Sequence, residues 1–293
     1  MEVVDLKAPE TVLGTPPWQD PQWRADAQDW IDAACAGAAL ARTGPVLVRA
    51  RPYSVVGRVP TDRGTVWFKA SPPPSRFEPA LLSALAGWQP GRFTAPIAVD
   101  EDRAWSLTRD GGPTLREHLA RQPDPGAWHA TVRDYARLQL DLAPRAGDLL
   151  ALGLADLRAL APQVREWCAE LGELGIPASL DHADVHPGNI FAATGIPFDW
   201  GDAALAHPFA SLWVIRRTAA GQHAPGLTEI YLQPWLEAGH PRPAVDRALL
   251  LALRIAPMAR ALTWGRLFPC YLGHPDPAGN AARALAAILE TRG

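Results

Sequence analysis

The most constraining feature of the sequence is the segment His182–Asn189, which reads H-A-D-V-H-P-G-N, together with the F-D-W-G that follows at 198–201. These segments place two carboxylates, Asp184 and Asp199, and one amide, Asn189, within a short stretch of chain. In an H-x-D-x-x-x-x-N pattern, the central carboxylate can accept a proton from an attacking hydroxyl. Carboxylate and amide oxygens are ligands that hard cations prefer. The segment therefore predicts a loop that holds metal ions on a triphosphate.

The residues between Asn189 and Asp199 predict a short hairpin. Two runs with strand character, 190–193 and 196–200, flank the turn-forming pair Thr194 and Gly195. Pro197 cannot donate a ladder hydrogen bond, so its side of the ribbon is expected at an edge. Folding back in this way would bring the two predicted metal ligands together.

Lys69 is the second informative residue. Of the 28 basic residues only Lys7 and Lys69 are lysine. Lys69 lies in the strand-like run 66–70, and a compact ammonium on a strand can reach phosphate oxygens where a planar guanidinium would not fit. Glu78 opens the helix-like segment 77–85, whose apolar spacing suits packing on that strand. Its carboxylate is expected to hold the lysine in place.

Taken in order, these residues resemble the aminoglycoside phosphotransferase and choline kinase family, which has a protein-kinase-like fold. The resemblance rests on Lys69, Glu78, the H-x-D-x-H-P-G-N segment and the D-W-G at 199–201, and it spans most of the chain. The segment 108–115, T-R-D-G-G-P-T-L, resembles the hinge where that family binds adenine through backbone groups. The resemblance implies an α+β, bilobal fold, with a small antiparallel-sheet lobe at 1–110 that includes a leading helix, and a larger helical lobe at 111–293.

The same resemblance implies roles for individual residues. Asp184 would be the catalytic base, and Asn189 and Asp199 would bind Mg²⁺. The nucleotide, ATP or another nucleoside triphosphate, would be held by a second set of residues: Lys69, Glu78, Ser54, Thr108 and Asp110. The resemblance also implies a cleft between the lobes as the nucleotide site, and His182 as a scaffold residue of the loop.

Composition limits the partners. A net charge of −3 and no basic run interleaved with aromatics argue against nucleic acid as a partner. No apolar stretch of spanning length and no signal-like start is present, so we expect a cytoplasmic protein without a membrane partner. Three widely spaced cysteines indicate neither a disulfide framework nor a cysteine metal site. The sequence does not indicate an oligomeric state.

Periodicity predicts the order of the elements. A helix is expected at 23–40, strands at 46–50, 53–59, 65–70, 95–99 and 105–108, and a largely helical remainder. The helices of that remainder are predicted at 114–121, 126–142, 154–173, 207–219, 226–238, 243–268 and 278–290.

The expected activity is transfer of a terminal phosphate to a hydroxyl of a small molecule such as an antibiotic, a sugar or an amino alcohol. Residues 203–293 carry five acids against nine arginines, which favours a neutral, weakly cationic or anionic acceptor over a highly charged aminoglycoside. Antibiotic resistance and housekeeping metabolism are both compatible with these residues.

Two alternatives remain open. One is a catalytically inactive nucleotide-binding protein of the same fold. The other is a metal-dependent hydrolase that uses His182, Asp184 and His186. Asp202 is expected to cap the helix that follows it, and otherwise to lie near the acceptor.

Overall fold

The computed structural model describes residues 16–51, 54–158, 164–218 and 225–267. The chain divides into two compact units, with the boundary after Asp110; the second unit contains Gly111–Leu262. The first unit is built on an antiparallel sheet and the second is largely helical, so the predicted α+β class is confirmed.

The sheet of the first unit has five strands in the order β1-β2-β3-β5-β4. Their bounds are Leu47–Arg51 for β1, Ser54–Thr61 for β2, Gly64–Ala70 for β3, Ala98–Asp100 for β4 and Trp105–Arg109 for β5. All four neighbouring pairs are antiparallel. The β2–β3 turn uses Gly64 at a φ of 103°, a conformation that favours glycine. The expected strands are therefore present, each displaced by a few residues at most.

Two helices accompany this sheet: α1 (Pro21–Gly37) and α2 (Glu78–Trp88). Asp20 begins α1 by accepting a hydrogen bond from the Gln22 backbone nitrogen at 2.9 Å. Ala27, Ile31 and Cys35 follow the four-residue spacing of a buried helical stripe and join one hydrophobic cluster with sheet residues.

Aromatic side chains form part of that cluster. Trp105 of β5 packs edge-on against Trp23 of α1, with ring centroids 5.4 Å apart, and Trp30 lies 5.9 Å from Phe68 of β3. Large buried rings stabilise small units strongly because each removes much apolar area from water. The aromatic core thus holds β3, the strand that carries Lys69, against α1.

The second unit contains α3 (Leu115–Arg121), α4 (Pro125–Leu142), α5 (Ala146–Ala151), α6 (Arg165–Glu173), α7 (Leu212–Ile215) and α8 (Leu227–Glu237). It also contains α9 (Arg242–Leu267) as far as Leu262, and the last residues of α9, from Thr263 on, belong to the first unit. Thr114 and Glu117 form a reciprocal capping box at the start of α3. Asp124 caps α4 and Pro125 occupies its first turn. α4 and α8 pack against each other through buried faces.

A three-stranded sheet in this unit was not predicted. It consists of β6 (Ala155–Asp156), β7 (Ser179–Asp181) and β8 (Ala204–Ala206), in the order β6-β8-β7. The predicted helix at 154–173 is therefore wrong in its first part, where Ala155–Asp156 pairs in parallel with β8, and α6 begins only at Arg165. The pairing partner lies 49 residues away in sequence, so local periodicity could not indicate it.

The other helix predictions are met to within a few residues, except that the predicted helix at 207–219 is wrong in extent: of its described residues only Leu212–Ile215 is α-helical, after a 3₁₀ turn at Pro208–Ser211. The predicted helix at 278–290 lies outside the described residues. In the part of the chain that the structure describes, no helix is both long and apolar enough to cross a membrane.

Candidate active site

In the first unit, Lys69 and Glu78 form the pair that the sequence predicts. Lys69 Nζ donates to Glu78 Oε1 at 2.7 Å, and Ser71 Oγ donates to Glu78 Oε2 at 2.7 Å. The Glu78 side chain is buried, at 2% exposure, whereas the Lys69 side chain retains 18%. The buried carboxylate is thus anchored on both oxygens, which fixes the lysine ammonium at a partly open position.

In the second unit, His182 is the scaffold of the predicted catalytic loop. It follows β7 directly and is fully buried, with its ring 4.5 Å from the ring of Trp200. Its Nε2 donates to the Phe198 carbonyl at 2.9 Å, and its Nδ1 accepts from the Asp184 backbone nitrogen at 3.3 Å. Both ring nitrogens therefore bind backbone groups, which supports a scaffold role and disfavours the hydrolase alternative, in which His182 would be a metal ligand.

Asp184 has polar partners on both carboxylate oxygens. Oδ2 accepts from Asn189 Nδ2 at 3.1 Å and lies 3.4 Å from His186 Nε2. Oδ1 accepts from Arg260 Nη2 at 2.8 Å. Burial alone would raise the pKa of Asp184, but the His186 hydrogen bond and the positive charge of Arg260 outweigh it and hold this pKa well below its ordinary value. The carboxylate is ionised and oriented, as a proton acceptor must be.

His186 is itself held from two sides. Its Nδ1 accepts from the Gly188 backbone nitrogen at 3.0 Å and lies 3.3 Å from Arg116 Nη2. Because Nδ1 accepts, the Nε2 atom is the one that can donate to Asp184. A Cβ at Gly188 would lie 2.7 Å from the Arg116 guanidinium, so a larger residue there would displace the exposed Arg116 side chain from His186.

The hairpin that the sequence predicts is present. It brings the backbone at Asn189 beside the backbone at Phe198, the residue before Asp199. Ile190 and Pro197 form an antiparallel bridge, Phe191 N donates to Ile196 O at 3.0 Å, and Phe198 N donates to Asn189 O at 2.9 Å. Asp199 is therefore the residue next to the one whose backbone nitrogen is hydrogen-bonded to the Asn189 carbonyl. The ribbon is only a bridge and a turn, shorter than the two strands expected.

Asn189 and Asp199 fit a site for a hard cation. The Asn189 amide nitrogen donates to both the Asp184 carbonyl and the Asp184 carboxylate, at 3.1 Å each, so its amide oxygen is the atom that can bind a metal. Asp199 has a φ of 65° and ψ of 66°, a left-handed conformation rare for residues other than glycine, asparagine and aspartate.

An oxygen pair of this kind suits Mg²⁺, which takes one or two protein oxygens and completes its shell with phosphates and water. Among the described residues, no group of three or more histidine, cysteine, aspartate or glutamate side chains is arranged to hold a metal ion.

Arg260, which sequence reasoning did not assign to the site, joins it together with Asp202, which was expected to cap a helix and otherwise to lie near the acceptor. Arg260 of α9 donates through Nη1 to Asp202 Oδ2 at 2.9 Å and to the Ala183 carbonyl at 2.6 Å. Asp202 is the last residue of a 3₁₀ turn and binds Arg260; the next 3₁₀ turn is capped by His207, so the expected cap at Asp202 is wrong. Burial raises the pKa of Asp202 and Arg260 opposes that shift.

A buried polar network behind the loop was also missed. Ser211 Oγ donates to Asp181 Oδ1 at 2.5 Å and lies 3.0 Å from Tyr135 Oη, which accepts from the His182 backbone nitrogen at 3.0 Å. Gln139 adds bonds to the Leu180 carbonyl at 3.1 Å and to Tyr231. Burial raises the pKa of Asp181 although Ser211 and the Ala183 backbone nitrogen donate to it. The network fixes the strand end from which the loop departs.

The other predicted nucleotide-binding residues lie in the first unit. Ser54 begins β2, opposite Arg51 of β1. Thr108 is half-buried in β5, opposite Trp67, and Asp110 is exposed just after that strand. The neighbouring Leu107 carbonyl accepts from the Ile97 backbone nitrogen at 2.7 Å. A contact of these residues with nucleotide stays a prediction.

Comparison with known proteins identifies the fold. No protein-family model matches the sequence, and no curated protein matches it. Among solved structures, the chain is similar to a choline/ethanolamine kinase family protein from Mesorhizobium loti, at 18% identity over 89% of this chain and 95% of that one, with a TM-score of 0.50. It is similar to an ethanolamine kinase from Plasmodium vivax, at 11% identity over 84% and 82%, with a TM-score of 0.51.

A third similar structure is a protein from Ralstonia eutropha that is provisionally assigned as an aminoglycoside phosphotransferase. It is 17% identical, with 92% of this chain and 94% of that chain covered and a TM-score of 0.53. The chain has the protein-kinase-like fold of these small-molecule kinases. The family resemblance seen in the sequence is thus confirmed at the level of the fold. Within this kinase-like fold, the roles of individual site residues rest on the geometry described above.

Proposed function

We propose that the protein is a small-molecule kinase that transfers the terminal phosphate of ATP, or of another nucleoside triphosphate, to a hydroxyl of its acceptor. The observation that carries the proposal is the loop geometry of the second unit. There Asp184 is ionised and oriented, Asn189 is bonded to it, and the hairpin leads from Asn189 directly to Asp199. The kinase-like fold and the small-molecule kinases that share it agree with this reading.

Asp184 would act as the base. Its carboxylate would accept a hydrogen bond from the acceptor hydroxyl and take the proton as the oxygen–phosphorus bond forms. Loss of one hydroxyl proton to Asp184 balances formation of the phosphate ester, while the nucleoside diphosphate leaves. The contacts from Asn189, His186 and Arg260 fix the carboxylate in one orientation, so little reorganisation is needed when the acceptor arrives.

Asn189 and Asp199 would hold Mg²⁺ through one amide oxygen and one carboxylate. When bound, the ion neutralises charge on the phosphates of the nucleotide. In the first unit Lys69 would contact the inner phosphates, and Glu78 with Ser71 would keep its ammonium in place. Ser54 would contribute a further phosphate contact, and Thr108 and Asp110 would lie where the adenine binds. Because phosphoryl transfer needs mainly alignment and charge neutralisation, these roles suffice for the reaction.

The proposed acceptor is a neutral, weakly cationic or anionic hydroxyl compound: an antibiotic, a sugar or an amino alcohol. The excess of arginine over acidic residues after Asp202 supports this choice, since a polycationic aminoglycoside would call for a carboxylate-rich surface. Antibiotic inactivation and metabolism of a small alcohol are both consistent with the proposal. The reaction would take place in the cytoplasm.

A direct test combines an acceptor screen with one isosteric substitution. Purified protein, MgATP and panels of antibiotics, sugars and amino alcohols would be incubated together, and nucleoside diphosphate release and phosphate adducts would be followed by mass spectrometry. Asp184→Asn should abolish adduct formation and keep MgADP affinity in calorimetry, because it removes the base but not the nucleotide contacts. Wild-type protein that binds MgADP and phosphorylates no acceptor would instead be an inactive nucleotide-binding member of this fold.

A further inference from the structure

Arg260 makes three hydrogen bonds that converge on the loop containing Asp184. Its Nη2 donates to Asp184 Oδ1 at 2.8 Å, and its Nη1 donates to the Ala183 carbonyl at 2.6 Å and to Asp202 Oδ2 at 2.9 Å. The side chain is 10% exposed, so these bonds are largely shielded from water. Charge-assisted bonds of this kind are about twice as strong as neutral ones.

Ala183, the residue before Asp184, is in a strained conformation. Its φ of 61° is in the left-handed region, which costs a residue with a side chain about 1 kcal/mol or more. Both of its backbone groups are held: its nitrogen donates to Asp181 Oδ1 at 3.0 Å and its carbonyl accepts from Arg260. A strained residue persists only where its surroundings hold it, so Arg260 is one of two side chains that fix the direction in which Asp184 leaves the loop.

The carboxylate of Asp184 is held in two places as well. Asn189 and His186 contact Oδ2 from within the loop, whereas Arg260 contacts Oδ1 from α9, which is 76 residues away in sequence. Removing the Arg260 contact would leave the carboxylate fixed at one oxygen only. Rotation of the Asp184 carboxylate would then be restrained only by its contacts with Asn189 and His186.

We propose that Arg260 is the positioning residue for Asp184, acting at once on the carboxylate and on the Ala183 peptide; this role rests on the kinase function proposed above. Asp202 holds the guanidinium in place and thereby couples the D-W-G turn to the loop. The planar fork of an arginine can serve three partners in fixed directions, which the compact ammonium of a lysine, on its shorter and flexible stem, cannot do.

The test is chemical rescue of Arg260→Ala. With MgATP and the best acceptor from the screen, its kcat should fall by about 100-fold, the loss expected when a reacting group is misplaced by about 1 Å, while the KM for MgATP changes little. Millimolar guanidinium chloride should restore part of the activity. Urea at the same concentration, which has a similar shape and no charge, should restore none.

Companion variants keep the test decisive if Arg260→Ala folds poorly. Arg260→Lys should retain more activity than Arg260→Ala and less than wild type. Asp202→Asn should reduce kcat less than either, since Arg260 keeps its other two partners. Arg247→Ala on the same helix is the matched control: it removes an arginine paired with Glu170, away from the loop, and should leave kcat unchanged. Melting temperatures of all variants would show that each is folded.

The outcomes separate two failures. Wild-type protein that phosphorylates no acceptor, whether or not it binds MgADP, would overturn the proposed function, and the role of Arg260 with it. Active wild-type protein whose Arg260→Ala and Arg260→Lys variants keep the wild-type kcat would overturn only the role of Arg260. Equal recovery with urea and guanidinium would also overturn it, because it would show a space-filling role in place of a charged, directional one.

Discussion

Glu78 of α2 holds Lys69 of β3 through a 2.7 Å bond between Oε1 and Nζ, and Ser71 occupies its other oxygen at the same distance. The carboxylate is nearly inaccessible to water, whereas the ammonium remains partly exposed. An ion pair that is buried at one end and open at the other places a positive charge at a defined point, from which a phosphate oxygen can be bound.

Lys69→Met should therefore weaken nucleotide binding, and it should also lower stability because the buried Glu78 carboxylate loses its counter-ion. We expect the Kd for MgADP to rise by roughly tenfold or more, equivalent to loss of one charge-assisted hydrogen bond of about 1.5 kcal/mol. Isothermal titration calorimetry measures this directly. Arg58→Met, an exposed position of β2 on the same sheet, removes the same charge and should leave the Kd unaltered. If both variants weaken binding equally, a general loss of positive charge explains the effect and Lys69 has no specific role.

Asp199→Asn should lower the apparent affinity for Mg²⁺ without unfolding the protein. Asparagine tolerates the left-handed conformation found at 199, so the backbone can keep its path while the ligand loses its charge. We expect the Mg²⁺ concentration for half-maximal nucleotide binding to rise by roughly tenfold, or about 1.4 kcal/mol. Titration of Mg²⁺ at a fixed ATP concentration checks this. An unchanged Mg²⁺ dependence would exclude Asp199 as a ligand.

Ala183→Gly should stabilise the protein. Glycine adopts a φ of 61° without the steric cost that alanine bears, and the hydrogen bonds to Asp181 and Arg260 use only the backbone. We expect the free energy of unfolding to rise by about 0.5–1 kcal/mol. Ala130→Gly in the exposed interior of α4 is the control, and it should lower stability by about the same amount. Denaturant titration measures the free energy of unfolding of both variants. A lower free energy of unfolding for Ala183→Gly would show that Ala183 is not strained in the native protein.

His207 should make the stability of the protein depend on pH. Burial lowers its pKa from 6.5 to about 3, and its Nδ1 accepts from the Phe209 backbone nitrogen at 3.3 Å. Between those pH values the unfolded chain binds a proton that the folded chain does not, so stability is complete above pH 6.5 and falls as the pH decreases. The loss attributable to this group is at most about 2 kcal/mol near pH 5.

His207→Asn isolates that contribution. Asparagine can still accept the Phe209 hydrogen bond as a cap but does not titrate in this range. The difference in unfolding free energy between pH 7.5 and pH 5 should therefore be smaller in the variant than in the wild type, as measured by urea titration at each pH. Identical pH dependences would show that His207 is protonated in the folded state as readily as in the unfolded one.

The parts of the site that the sequence predicted are those that local spacing determines. His182, Asp184 and Asn189 belong to one loop, and the turn at Thr194 and Gly195 leads back to Asp199 within ten residues. Likewise the separation of nine positions from Lys69 to Glu78 suffices to connect a strand to the helix beside it. In such cases few arrangements of the chain are possible, so residue type and spacing are enough.

Arg260, Asp181 and the β6–β8 pairing could not be predicted for the opposite reason. Arg260 is one of many arginines on helices, and what distinguishes it is a contact with a loop 76 residues earlier in the chain. Nothing in the neighbouring sequence distinguishes Asp181 from other aspartates, yet its side chain is buried and accepts hydrogen bonds from Ser211 Oγ and the Ala183 backbone nitrogen. Tertiary packing selects such residues, and a single sequence contains no record of which distant segments meet.

The polar network behind the loop has a consequence for how sequences of this kind can diverge. Each of four side chains, Tyr135, Gln139, Ser211 and Tyr231, is hydrogen-bonded to another member of the set, and Gln139 also binds the Leu180 carbonyl beside Asp181. Replacing one of them with an apolar side chain leaves its partner buried without a hydrogen bond, whereas replacing several together does not. A single substitution within the set should therefore cost more stability than the coordinated replacement of several members.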